Sequence, residues 1–372
     1  MKIEIGKKVI DHLRKMPFGF PRTADGDEYK ILERPFPMTD EEGELMSQLM
    51  AYPEHIDDIA KRIGRSKEDI QPLLESLVRK TWVGLSGPKE NRSYMVIPYA
   101  PGTYELQVKH YSPEFFANVL DKITPDSMAE TIFGPTPDIT PWFRVLPYEE
   151  AIPHDMEVMP SELFSHLLVH AGAEEQGGLA QTDCQCRKTA QIRGNPCTRV
   201  PVDNMCTFLG FWAQTFVACE GAKPASKEDV LKTYQRAKNS GAVLHAFNCE
   251  HTLAICACCP CHCGLLSVYL MGVPQADLTS NFYAVEDWDQ CDGKKECIKI
   301  CPANAISYDA KNKKAVTDEE KCLGCGLCVL ACPSQARKLE RKKEITVYPH
   351  EWLDFMKIRA QQTGRTELIK MK

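Results

Sequence analysis

Between residues 322 and 333 the chain reads Cys-Leu-Gly-Cys-Gly-Leu-Cys-Val-Leu-Ala-Cys-Pro, a C-x2-C-x2-C-x3-C-P run. Three thiolates on one tight loop can bind three irons of a cubane, and the Cys-Pro that follows sends the chain away toward a second cluster. The competing readings are structural zinc and idle thiols. Zinc sites pair their cysteines as two separated C-x2-C knuckles rather than four in one run, so the spacing favours iron–sulfur.

A related run lies upstream, with Cys291, Cys297 and Cys301 followed by Pro302. Between the runs, residues 303–317 read as a short helical turn and a strand pair. Residues 284–340 therefore resemble a bacterial-type two-cluster ferredoxin with pseudo-symmetric halves. The resemblance implies that the fourth cysteine of each run ligates the other cluster. One [4Fe-4S] cluster then takes Cys301, Cys322, Cys325 and Cys328. The other takes Cys291, Cys297 and Cys332, but Lys294 stands where the family has its second cysteine. With one thiolate missing, that site is expected to hold a [3Fe-4S] cluster, a [4Fe-4S] cluster completed by Asp292 or Glu296, or none.

All eighteen cysteines fall between residues 184 and 332. That concentration points to metal-binding regions rather than core filler, and with no signal-peptide core at the N-terminus the expected compartment is the reducing cytoplasm. The stretch 253–273 is long and apolar enough for a membrane span. It contains five cysteines and His262, so it is expected to form buried walls of a metal site and not a span. A net charge of −6 argues against wholesale nucleic-acid binding.

Residues 1–36 carry weak signals, and prolines from Pro17 onward break any long element. From Thr39 the pattern predicts three helices, around 39–50, 56–63 and 66–79, then a hairpin over 82–97, the order of a winged helix. Between Asp40 and Lys109 there are twelve acidic and nine basic residues, whereas phosphate contacts require a basic face; the module reads as a scaffold for protein contacts. A helix near 113–123, a proline-rich connection over 125–160 and an amphipathic helix over 161–171 follow. On the last, His166 and His170 share a face at a spacing that can chelate a metal, but with no third ligand type beside them they read as two surface or half-buried histidines.

The cysteine-rich middle opens with Cys184 and Cys186, followed by Cys197 and Cys206. Four thiolates from two or three loops can close around one further cubane, with zinc or reduced bystanders as rivals. Residues 205–219 and 229–240 read as helices. Then Cys256, Cys258, Cys259, Cys261 and Cys263 crowd into eight residues. They cannot all face one metal; in an extended segment Cys259, Cys261 and Cys263 share a face and Cys258 points away. Structural zinc and a redox-active dithiol remain open there.

Taken together, the winged-helix-like module, the Asp183-Cys184-x-Cys186-Arg187-Lys188 segment, the Ile255-Cys256-x-Cys258-Cys259 segment and the terminal ferredoxin resemble cytoplasmic iron–sulfur proteins of anaerobes described as ferredoxin-domain oxidoreductase components. The expected fold is α+β and multidomain: a winged-helix-like module over 1–110, a cysteine-rich metal-binding domain over 111–283, the two-cluster domain over 284–340 and a basic helical tail over 341–372. The tail has ten basic and five acidic residues from Arg337 onward, either a solvated face beside a packed helix or a docking patch. The expected function is multi-cluster electron transfer with a redox partner protein, such as a flavin- or metal-containing oxidoreductase. The alternatives are a reductase with a small-substrate site in the middle domain, and a redox sensor that binds DNA. No G-x-G-x-x-G or Walker fingerprint occurs, so nucleotide chemistry is left to a partner.

Overall fold

The protein is described here by a computed structural model that covers every residue except 89, 137, 171–176, 273–277, 279 and 372, and the side chain of Ile132. Residue 171, where the histidine-bearing helix was expected to end, and residue 273, the end of the apolar stretch, lie outside the described residues. Helices and antiparallel strands combine in an α+β fold. Among the described residues no helix is long and apolar enough to cross a membrane.

The chain begins with a helix over Ile3–Arg14, where the sequence suggested no long element. The prolines start only at Pro17, and Ile5, Val9, Ile10 and Leu13 recur at helical spacing and are buried. Helix Asp40–Met46 follows, started by a capping box between Thr39 and Glu42. Next come β1 (Glu54–His55), helices Ile56–Ile63 and Lys67–Arg79, β2 (Val83–Ser86) and β3 (Ser93–Val96), the strands pairing in the order β1-β3-β2. Glu42, only 2% exposed, ties the first of these helices to the third. Its carboxylate accepts from Thr39 N, Ser76 Oγ and Lys80 Nζ, each at 2.6 Å. Burial alone raises its pKa, but Lys80, Ser76 and Thr39 together hold it below the ordinary value.

The outer strand β2 is occupied. Leu85 N and O pair with Thr215 Oγ1 at 3.1 and 2.9 Å, and Gly87 N donates to Gln214 Oε1 at 3.3 Å. Both partners lie on the helix Gly210–Ala218 of the middle region.

The middle region is one antiparallel sheet made of β4 (Phe143–Leu146), β5 (Leu179–Thr182), β6 (Cys206–Leu209), β7 (Lys223–Pro224), β8 (Val243–Phe247) and β9 (Ala254–Cys258), ordered β4-β8-β9-β6-β5-β7. Residues 125–160, expected as a connection, contain a helix over Pro125–Phe133 and strand β4. The single helix expected over 205–219 is instead β6 followed by Gly210–Ala218. Pairing of Cys206 with both Thr182 and Cys256 fixes it as a central strand, so tertiary pairing overrides local helical tendency.

Strand periodicity of two divides the sheet's residues between its faces. One face carries Leu244, Ile255, Ala257 and Thr207 beneath the helix Lys227–Asn239. The other has two adjacent rows. Phe143, Phe247, Ala254 and Phe208 form the first, in register; Val145, His245, Cys256 and Cys206 form the second. The aromatic row is covered by Trp212 and Phe216, and by Trp352 of the C-terminal helix Trp352–Thr363. Phe18 from the N-terminal segment stacks on Trp352 and Trp142, so both ends of the chain close over this core.

The C-terminal region contains β10 (Phe282–Glu286), β11 (Ile306–Asp309), β12 (Lys314–Thr317) and β13 (Arg337–Arg341), paired as β10·β13 and β11·β12. The basic tail is not wholly solvated: Arg337 and Arg359 are buried, the latter over Phe18 and Trp142 at 5.0 and 5.4 Å.

Glu42→Gln is expected to lower stability at pH 7 by about 1–3 kcal/mol, because Lys80 loses its buried charged partner. Folding lowers the carboxyl's pKa, so its contribution is complete above the ordinary 4.5 and fades as pH falls through the folded value. Urea midpoints of the two proteins should therefore differ at neutral pH and converge in acid. Coincident midpoints at pH 7 would contradict the role given to Glu42.

Candidate functional site

The C-x2-C-x2-C run wraps one cavity lined by Cys301, Cys322, Cys325 and Cys328 together with Ala284 and Ile306. Cys328 lies on the short helix Leu327–Leu330, and Cys301 ends the helix Glu296–Ile300. Two glycines let the loop close. At Gly324, φ is +64° and a Cβ would sit 2.2 Å from the Phe282 carbonyl oxygen; at Gly326, φ is +81° and a Cβ would sit 2.5 Å from the Ala151 methyl carbon. Amides point at the sulfurs: Ala284 N donates to Cys322 Sγ at 3.4 Å and Ala305 N to Cys301 Sγ at 3.3 Å. Burial pushes the Cys328 thiol up to about 12 and Cys325 well above its ordinary range. Thiols so desolvated become thiolates when a metal displaces their protons. Four convergent thiols, an apolar wall and amide donors fit a cubane.

The second cavity is lined by Cys291, Cys297 and Cys332, with Lys294, Lys295 and Arg337. Lys294 is largely exposed and its ammonium pairs with Asp292 at 2.9 Å. Arg337, by contrast, is buried; it donates to Thr317 Oγ1 at 2.8 Å and Ala315 O at 3.3 Å. Burial lowers its pKa, but Cys328 and Cys297 outweigh that and leave it raised. One guanidinium thus faces a cysteine from each cavity.

In the middle region the sheet register gathers sulfur. Cys206 contacts Cys256 and Cys184; Cys184 contacts Cys186; Cys186 contacts Cys263, which in turn contacts Cys258. These six thiols form a continuous belt. Cys184, which opens the helix Gln185–Ile192, is held well below the thiol range because Cys186 and Cys206 hydrogen-bond to it and Arg187 lies beside it. Cys186, Cys206 and Cys263 are pushed well above that range by the neighbouring thiols and by burial. Arg187 is fully buried, donates to Ala257 O at 3.0 Å and is kept charged by Cys184, Cys259 and Cys206 against the pull of burial. His245 sits across from Cys256, and its ring lies within 4.8 Å of the Cys258 and Cys263 sulfurs. Both of its nitrogens are buried without a hydrogen-bond partner.

Cys197 is elsewhere. Its sulfur lies 3.9 Å from that of Cys259 and 3.7 Å from that of Cys261, with His262 in the same group. The structure therefore divides the expected sets differently: Cys184, Cys186 and Cys206 join Cys256, Cys258 and Cys263, while Cys197 joins Cys259 and Cys261. Cys219 and Cys249 are buried thiols that donate to the carbonyls of Val78 and His251. His166 and His170 stack at 4.1 Å and belong to no three-residue ligand group among the described residues.

The sequence reading missed His245, Arg187 and Arg337 as members of these sites. Arg187 and Arg337 do lie in or just after cysteine motifs, which is a usable signal; for His245 only the sheet register reveals the neighbourhood.

The C-terminal region of this α+β chain wraps two cavities in paired cysteine runs, an arrangement suited to a pair of iron–sulfur clusters. Residues 290–336, which contain all seven cysteines of the two cavities, match the 4Fe-4S dicluster domain family. A comparison of the chain with curated proteins gives no match.

Replacing Arg337 with Gln removes a buried positive charge beside both cavities. A unit charge about 6 Å away at an effective dielectric of about 20 contributes about 3 kcal/mol, on the order of 100 mV. The midpoint potential of the domain should fall by a shift of that order in a redox titration followed by EPR. An unchanged potential in a variant with native iron content would exclude electrostatic tuning by Arg337.

Proposed function

We propose that the protein is a multi-cluster electron-transfer protein in which the dicluster domain exchanges electrons with a redox partner protein and serves the thiol belt of the middle region. The iron–sulfur groups, when bound, supply one-electron storage. Cys301, Cys322, Cys325 and Cys328 would hold a [4Fe-4S] cluster, and the six belt thiols would hold a further one. A cubane uses four thiolates, so the belt has ligands to spare.

The observation that carries this reading is the direction in which the dicluster domain faces. Its complete four-cysteine cavity is turned toward the middle region. Tyr148 N donates to Cys325 O at 3.1 Å, the Tyr148 hydroxyl donates to Ala242 O at 2.8 Å, and the phenol feels both Cys325 and Cys258. One buried, neutral side chain thus lies between the inner cavity and the belt. Arg199 adds a second tie, donating to Ile300 O at 3.3 Å beside Cys301. The three-cysteine cavity, with exposed Lys294 and Asp292, faces the other way, where a partner can approach.

The N-terminal module fits a winged-helix-like scaffold for internal contacts rather than a DNA reader. Its outer strand β2 is spent on the helix Gly210–Ala218, and the helix Lys67–Arg79 opens with acidic Glu68 and Asp69. Specific and non-specific DNA binding both require a basic face, which this module lacks.

For the three-cysteine cavity the proposal is a three-iron cluster, since Lys294 brings no thiolate and its ammonium is engaged by Asp292. Anaerobically prepared protein should contain more iron and sulfide than a dicluster domain alone accommodates, with visible absorption bleached by dithionite. Replacing Cys184, Cys186 and Cys206 together with Ser, which leaves the belt three thiols, should lose the excess while leaving the domain's iron in place. An oxidised-state EPR signal of a three-iron centre should disappear in Lys294→Cys with the gain of one iron. Iron confined to the dicluster domain would overturn the belt assignment, and identical spectra in the lysine variant would overturn the three-iron assignment.

A further inference from the structure

The group formed by Cys197, Cys259, Cys261 and His262 differs in kind from the cysteine cavities of the dicluster domain. Its four ligand atoms all lie within 4.8 Å of one another, and Cys197 Sγ is 3.9 and 3.7 Å from Cys259 Sγ and Cys261 Sγ. Thiolates bound to one tetrahedral zinc at about 2.3 Å are separated by about 3.8 Å along the tetrahedron's edge. Thiolates on different corners of a cubane are held apart by the width of the whole core. The dicluster domain provides the contrast: Cys301, Cys322, Cys325 and Cys328 surround a cavity and do not converge within 4.8 Å of one another. We propose that Cys197, Cys259, Cys261 and His262 form a mononuclear, four-coordinate zinc site, separate from the iron–sulfur sites.

The local chain is built for this. Cys258 and Cys259 are adjacent at the end of β9, so their side chains leave on opposite sides: Cys258 joins the belt and Cys259 leaves it. Pro260 then stiffens the short turn that brings Cys261 and His262 to the same point. Val200 N donates to Cys197 Sγ at 3.5 Å, the kind of amide contact that steadies a ligating sulfur. Both ring nitrogens of His262 are buried and without a hydrogen-bond partner, and a metal bond to one of them answers that deficit. Three sulfurs and one nitrogen with no ligand position to spare describe a closed, structural site.

Its role follows from what it joins. Cys197 belongs to the segment that also carries Arg199, whose guanidinium holds Ile300 O beside Cys301. The other three ligands follow directly on β9, which carries Cys256 and Cys258 of the belt. One ion therefore braces the loop that touches the dicluster domain against the strand that supports the belt.

The test uses the full chain, produced with iron, sulfide and zinc available and purified anaerobically. Elemental analysis should give about one zinc per chain, and zinc-edge X-ray absorption should show three sulfurs at about 2.3 Å and one nitrogen at about 2.0 Å. Cys197→Ser and His262→Ala should each lower zinc at least about tenfold, with iron, sulfide and EPR signals retained. Should either variant fold poorly, His262→Cys serves in its place, retaining zinc in a four-sulfur shell. Loss of iron together with the metal of this site would assign these residues to a cluster instead. A mononuclear iron signal, an empty site, or zinc retained undiminished in both deletion variants would likewise overturn the proposal.

Discussion

Negative charge on buried sulfur is the constraint that orders this protein. Cysteine sulfur binds metal as thiolate, and a thiolate removed from water is costly unless a cation or hydrogen-bond donors face it. Two buried arginines meet that demand. Arg187 lies among Cys184, Cys206 and Cys259, and Arg337 lies between Cys297 and Cys328. Each is fixed by a carbonyl, of Ala257 and of Ala315, so neither can swing out to solvent without leaving an acceptor unpaired. Arginine suits the position better than lysine, because its charge persists in a desolvated site and its planar fork reaches sulfur and carbonyl together.

Around that constraint the middle sheet divides one of its faces in two. The row with Phe143, Phe247 and Phe208 supplies ordinary apolar stabilisation, closed by Trp212, Trp352 and Phe18. The adjacent row with His245, Cys256 and Cys206 places polarisable, ligand-bearing groups at the rigid edge of the same core. Ligands mounted on central strands are held to better tolerance than ligands on loops, which matters for a site whose geometry must suit a metal.

How much of this was legible in the sequence depends on the range of the interactions. The dicluster domain was readable because its ligands are set by local spacing, with glycines where the loop must close on Phe282 and Ala151. Much of the N-terminal helix and hairpin pattern was also readable, since Thr39, Ser66 and Gly64 are local start and stop signals. The partition of the middle cysteines was not. Spacing grouped Cys197 with Cys184, Cys186 and Cys206, whereas the partner of Cys197 is set by where β9 ends, sixty residues downstream. Period-two alternation correctly separates Cys258 from Cys259, but it carries Cys263 to the wrong side, because the chain leaves the strand at Cys258 and turns before reaching it. The β6 strand was misread as helix for the same reason: its identity comes from pairing on both sides, which no local window contains.

The two halves of the dicluster domain share one cysteine-run pattern but have unequal surroundings, and the inequality is directional. The half with four cysteines is the one whose loop is pressed against Tyr148 and Ala151, joined to the main core through Leu323, Cys325 and Leu327. The smaller core of Phe282, Ile306 and Leu339 takes Cys297 from one half and Cys328 from the other, while the half that lacks a cysteine turns Lys294 and Asp292 outward. Docking imposes stricter demands on the inner half: at Gly326 an added Cβ would fall 2.5 Å from the Ala151 methyl, so the loop has no room for a side chain there and tolerates little change in the cluster it wraps. The outer loop is held by its own domain, with Gly293 beside the Lys313 carbonyl and Lys314 donating to Cys291 O at 2.6 Å, and it carries the Lys294–Asp292 salt bridge where the fourth thiolate is missing. The departure from the four-cysteine pattern falls on the side that turns outward, and the side that faces the belt keeps its complete set.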